Sequence, residues 1–180
     1  MNRLDAVNPA TATGTTKELL DAVQSTLGAT PNLFRTMAAS PSALEGFLGL
    51  FGALSKGRFD ARVRAAIALT VAQGNGCNYC LSAHSFLGRN AGLDDRALAA
   101  SRHAESSDPR VKALLRLARQ INEGRGDVSD AHFAEARKAG LNDADIAELI
   151  ATVALNVFTN YFNKTARTEI DFPVITAAAA

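Results

Sequence analysis

The apolar spacing of this chain is helical nearly everywhere, and it is punctuated by residues that start or stop a helix. That pattern limits the possible folds more than any other feature. In "SPSALEGFLGLFGALSKG", Ser40 is the cap, Pro41 takes the first helical position and Gly57 is the stop. "DPRVKALLRLARQINEG" repeats the device with Asp108 and Pro109. "TTKELLDAVQSTLG" sets Glu18 near capping-box distance from a Thr and closes on Gly28. "TPNLFRTMAAS" begins with Pro31, "DARVRAAIALTVAQGNG" with Asp60, and "SDAHFAEARKAG" ends at Gly140. "NDADIAELIATVALNVFTNYFNKTART" carries a long apolar stripe. No alternating run is bounded by hairpin turns. The expectation is an all-α fold of about eight helices. They form a single domain over residues 15–175, behind a flexible N-terminus at 1–14, and the tail "ITAAAA" is loosely held.

A weak internal repeat runs through this pattern. "TVAQGNGCNYC" (70–80) aligns with "TVALNVFTNYF" (152–162), sharing Thr, Val and Ala at the start and Asn-Tyr near the end. Thr159 then stands opposite Cys77, and Phe162 opposite Cys80.

Charge and composition narrow the function. Nineteen basic residues nearly balance eighteen acidic ones, so the formal net charge is only +1, and the sequence holds no block of like charge to draw nucleic acid or an anionic membrane. There is no Trp and there are only two Tyr, too few for a row of base-stacking platforms. The first twenty residues lack the apolar core of a secretory signal, and no apolar run reaches the ~18 residues of a membrane span. The expected compartment is the cytoplasm, where a C-x-x-C pair binds metal or does chemistry rather than stapling a fold.

That pair, the only cysteines in the chain, lies in "GNGCNYCLSAHSFLGRNAG" (74–92) as Cys77 and Cys80, with His84 one turn further. Asn75 is a candidate N-cap, which puts Cys77 in the first turn. Cys77, Cys80 and His84 then share one helix face. Free N–H groups and the positive end of the helix dipole favour a thiolate there, below the usual cysteine pKa of about 8.5. Three readings follow: a dithiol redox site, a zinc site, or two small apolar groups in a core. Zinc wants a fourth ligand, and His103 and His132 lie in separate helical segments without matching spacing. Both histidines read as solvated residues near helix ends. Arg64 and Arg89 read as surface, and the phenylalanines Phe34, Phe47, Phe51 and Phe59 as core or subunit interface. "TNYFN" (159–163) fits either a cavity wall or repeat packing.

"NGCNYCLSAH" resembles the signature of the AhpD-like alkylhydroperoxidase and carboxymuconolactone decarboxylase family. "TPNLFRTMAASPSALEGFLGLFGALSKG" and "VALNVFTNYFNKTARTEIDFP" resemble the lead-in and C-terminal portion of its peroxidase-related branch. The resemblance implies a helical homo-oligomer (dimer, trimer or hexamer) that reduces organic hydroperoxides and is re-reduced by an external dithiol, thioredoxin-like or lipoyl-type. It implies no metal and no organic cofactor. Cys80 becomes the peroxidatic cysteine, Cys77 the resolving one, and His84 the base in a proton relay. The family's relay glutamate, twelve residues before the first cysteine, is replaced here by Ala65. The acidic residue often found four before that cysteine is Gln73. The thiol pair then reacts more slowly, or another acid enters from a neighbouring subunit, with Glu45 and Glu148 as candidates. Two other functions remain open: a decarboxylase that does not need the cysteines, and a redox-responsive oligomer without turnover.

Overall fold

The structure is a computed structural model describing residues 2–177. Among the described residues there are nine α-helices and no strand. They are α1 (Gly14–Leu27), α2 (Asn32–Met37), α3 (Pro41–Ser55), α4 (Ala61–Gly74), α5 (Asn78–Asn90), α6 (Asp95–Arg102), α7 (Pro109–Glu123), α8 (Asp130–Lys138) and α9 (Asp143–Ala166).

Side-chain caps fix most of the starts. Ser40, Asp60, Asp108 and Ser129 each accept a backbone N–H from the first turn of their helices. Asn142 and Asp145 form a reciprocal capping box at the start of α9. The helix beyond the expected eight is α6, a short element announced by its own cap, Asp94. At α1 the expected capping box does not form. The helix begins at Gly14, so Glu18 lies too deep to reach back, and Thr13 makes no side-chain cap bond.

α4 is the central helix, packed against α5, α6, α7 and α9. Its residues Ala65 to Ala72 are all buried, and its four alanines there let neighbouring backbones come close. Two cores flank it. One gathers Leu20, Phe34, Met37, Leu44, Phe47, Leu81 and both cysteines, and the other Ile67, Leu114, Leu115, Leu141, Leu149 and Val153. α9 runs unbroken past both, and its 24 residues include Val153 in one core and Leu155 in the other.

In the N-terminal segment, Arg3 N donates to Ala166 O at 2.8 Å and Val7 N to Arg35 O at 2.9 Å. At the other end, Ile175 N donates to Ser82 Oγ and Ala177 N to Asn78 Oδ1, both at 2.9 Å. Residues 178–180 of the tail lie outside the described residues. Among those described, no helix is long and apolar enough to cross a membrane.

Candidate functional site

The site is built at the break between α4 and α5. Gly76 takes the left-handed conformation, with φ of 60°, that closes a helix. Its N–H bonds Gln73 O, and the N–H of Cys77 reaches back to Ala72 O at 3.0 Å. Asn75 is therefore the C-cap of α4, and Cys77 caps α5 in place of the expected Asn75. The difference has a local cause. The glycine turn consumes the Cys77 N–H at the end of one helix and leaves its side chain to open the next. Cys77 Sγ accepts the N–H of Cys80 at 3.3 Å, and Cys77 O accepts that of Leu81.

Cys77 and Cys80 are joined as a disulfide, with Cα atoms 5.3 Å apart. The two residues are 1% and 2% exposed, so a reagent reaches either sulfur only after local movement. Each sulfur faces one N–H donor. Cys77 has the backbone of Cys80, and Cys80 has Asn163 Nδ2 of α9 at 3.5 Å. "TNYFN" thus meets the cysteines through its last residue, a contact that bridges 83 positions of sequence.

His84 lies one turn beyond Cys80, is half-buried, and makes no hydrogen bond to the described residues. Desolvation pushes it down to about 4, so it is uncharged at neutral pH. Tyr79, between the cysteines in sequence, is a structural anchor. Its hydroxyl accepts Leu33 N at 3.0 Å, its ring meets Phe172 edge-on, and burial raises its pKa. These contacts hold the first turn of α5 against α2 and the C-terminal segment.

None of the carboxylate candidates joins the relay within the single chain. Ala65 is buried on α4. Gln73 Oε1 accepts Arg102 Nε at 2.8 Å. Glu45 is exposed on α3. Glu148 accepts the backbone N–H groups of Arg58 and Phe59 and so fastens the α3–α4 loop. Arg64 closes the end of α3 through Ser55 O and Phe59 O, and Arg89 pairs with Asp95. His103 is the C-cap of α6, and His132 bonds Ser129 at the start of α8. Among the described residues no three His, Cys, Asp or Glu side chains converge as a metal site requires.

A dithiol on this frame has one sulfur at a helix start, the other beside a carboxamide, and an uncharged imidazole one turn away. That arrangement permits thiolate formation and disulfide closure with little backbone movement.

Residues 41–120, from α3 into α7, match the carboxymuconolactone decarboxylase family. No curated protein matches the chain at a significant level. Among solved structures, an AhpD-core, peroxidase-related protein from Ralstonia eutropha superposes with a TM-score of 0.81 at 24% identity, over 94% of this chain and 92% of that one. A peroxidase-related protein from a Silicibacter species gives 0.80 at 23% identity, over 93% and 91%. A variant of the debrominase Bmp8 bound to 2,3,4-tribromopyrrole gives 0.79 at 20% identity, over 93% and 91%. At these identities the likeness is one of fold: the all-helical architecture is AhpD-like.

Proposed function

Because residues 41–120 match the carboxymuconolactone decarboxylase family and the chain has the AhpD-like fold, we propose that it is a thiol-dependent peroxidase acting on organic hydroperoxides. The observation that carries this is the Cys77–Cys80 pair at the start of α5, already placed for disulfide closure.

In the proposed cycle the Cys80 thiol loses its proton and the thiolate attacks the outer oxygen of the hydroperoxide. The O–O bond breaks, the alkoxide takes a proton and leaves as the alcohol, and Cys80 becomes a sulfenic acid. Cys77 attacks that sulfur, water leaves, and the disulfide forms. An external dithiol, thioredoxin-like or lipoyl-type, reduces it and is itself oxidised to a disulfide. His84, uncharged at neutral pH, is available to take the first proton. The cycle uses no metal and no organic cofactor, and the compartment is the cytoplasm. The working unit is a homo-oligomer, a reading supported by the exposed Ile150, Phe158 and Tyr161 along one side of α9.

The test is consumption of cumene hydroperoxide with excess dithiol by wild type, Cys80→Ser and Cys77→Ser. The expected result is turnover lost in both variants, with a trappable sulfenic acid in Cys77→Ser alone. A second reading, decarboxylation of a carboxylated lactone, is favoured by the family match. Such activity surviving both substitutions would replace the peroxidase. Disulfide formation without turnover would leave a redox-responsive oligomer.

A further inference from the structure

We infer that Asn163 is a positioning residue for the Cys80 thiolate, its carboxamide taking over part of the stabilisation that a charged relay would supply. The inference rests on the peroxidase reading for its purpose, but its test does not depend on turnover. Asn163 is 3% exposed, its Nδ2 donates to Cys80 Sγ at 3.5 Å, and its Oδ1 is buried without a partner. One turn earlier, fully buried Asn160 accepts Asn75 Nδ2 at 3.0 Å and leaves its own Nδ2 unpaired. Asn75 is fixed in turn by Asn122 and by Lys164 Nζ. α9 therefore holds two amides at the α4–α5 break, each with one group satisfied and one open. Buried polar groups are rarely left in that state.

The surroundings give those open groups a purpose. The buried residues of α4 facing α5 carry no titratable side chain, and those of α3 are Leu44, Phe47 and Leu54. On α5, His84 is uncharged and the Tyr79 hydroxyl is taken by Leu33. On α9, Asp145 is tied to Arg58 and Arg110, and Lys164 is exposed and directed to Asn75 O. On α6, Arg102 is engaged with Gln73 Oε1 and Thr176 O and Asp95 with Arg89, and in the C-terminal segment Asp171 accepts the N–H of Asn32. Among the described residues, none of these charged groups bonds Cys80. The polar contact it does receive is the Asn163 amide. A disulfide sulfur is a weak acceptor, whereas a thiolate makes a charge-assisted bond with the same N–H. In the protonated thiol the S–H supplies the donor that Oδ1 lacks, after rotation of the amide. One side chain thus serves both protonation states of the nucleophile.

The test is alkylation of the reduced protein by iodoacetamide between pH 5 and 10. Mass spectrometry would follow Cys77 and Cys80 separately in wild type, Asn163→Ala and Asn163→Asp. The midpoint of the Cys80 profile is expected to rise by about one pH unit in the alanine variant, a roughly tenfold loss of rate at pH 7. It should rise further in the aspartate variant, where a like charge faces the sulfur. A change in access scales the whole curve, whereas lost stabilisation moves its midpoint. In turnover, kcat should fall with KM for the hydroperoxide unchanged. An unmoved midpoint in either folded variant overturns the inference. Should both variants fail to fold, the side-chain amide resonance of Asn163 in reduced wild type decides. It must shift through the thiol titration, and a flat resonance overturns the inference. A wild type without peroxide turnover whose Cys80 midpoint still depends on Asn163 would overturn the peroxidase reading alone.

Discussion

Ala65 of α4 packs against Gly88 of α5 so closely that a Cβ on the glycine would stand 3.5 Å from that of Ala65. His84 lies one turn before Gly88 on the same helix. A carboxylate at position 65 would therefore enter the seam between the two helices next to the imidazole. Ala65→Glu is expected to raise peroxide consumption several-fold, with the ~10²–10⁴-fold range of acid–base contributions as its ceiling. It should also lower the melting temperature, because Ala65 is 6% exposed and a buried charge is costly. Steady-state peroxide assays paired with thermal melts check both. A folded variant with no gain would remove the missing acid from the account.

The acid limb of stability should report on His84. Burial holds its folded pKa near 4, against an ordinary 6.5. Between those values the unfolded chain binds a proton that the folded chain does not, so stability declines as pH falls through 6.5 towards 4. The loss between pH 7 and 5 is at most about 2 kcal/mol. Urea titrations of wild type and His84→Gln at the two pH values measure it, and the difference should shrink in the variant.

Asp145 ties three elements together. Its carboxylate, 2% exposed, accepts Arg58 Nε at 2.8 Å, Arg110 Nη2 at 2.7 Å and the N–H of Asn142. Burial alone would raise its pKa, yet the bonds to Arg58 and Asn142 and the charge of Arg110 hold it below the usual carboxylate value. Its contribution is present at neutral pH and lost as acid protonates it in the folded state. Both arginines are half exposed, so Asp145→Ala should cost about 2–3 kcal/mol rather than the full penalty for breaking a buried pair. Equilibrium unfolding at pH 7 gives the number directly.

Reducing the disulfide should change global stability little. Its cysteines are three positions apart, and closing so short a loop is worth no more than about 2 kcal/mol. Chemical denaturation with and without dithiothreitol checks this. A larger loss would mean that the oxidised pair organises α5 itself.

What could be read in the sequence was mostly local. Ser40-Pro41 and Asp108-Pro109 define helix starts because cap and proline act within one turn, and the structure has α3 and α7 there. The C-x-x-C pair and His84 were visible for the same reason. The sequence puts the start of α5 two residues early, because Asn75 is a good cap and the left-handed turn at Gly76 decides the matter only once α4 is packed. The short α6 carried its signal in Asp94 but lacked the proline that marked its neighbours. The Asn163–Cys80 contact depends on how α9 lies against α5, and the desolvation of His84 on the packing around α5, neither of which a spacing rule encodes.

The unbroken course of α9 has a consequence for protein engineering. The stretch 152–162 echoes 70–80 yet continues as one helix, where the first copy stops at Gly74 and restarts at Asn78. In mid-helix every backbone N–H already has a carbonyl partner, so none is left to face a sulfur. Cysteines transplanted to positions 159 and 162 would reproduce the three-residue interval without the free N–H groups of a helix start. For a designer moving this dithiol to another scaffold, the portable unit is therefore the interruption at Gly76 together with the sulfurs that follow it.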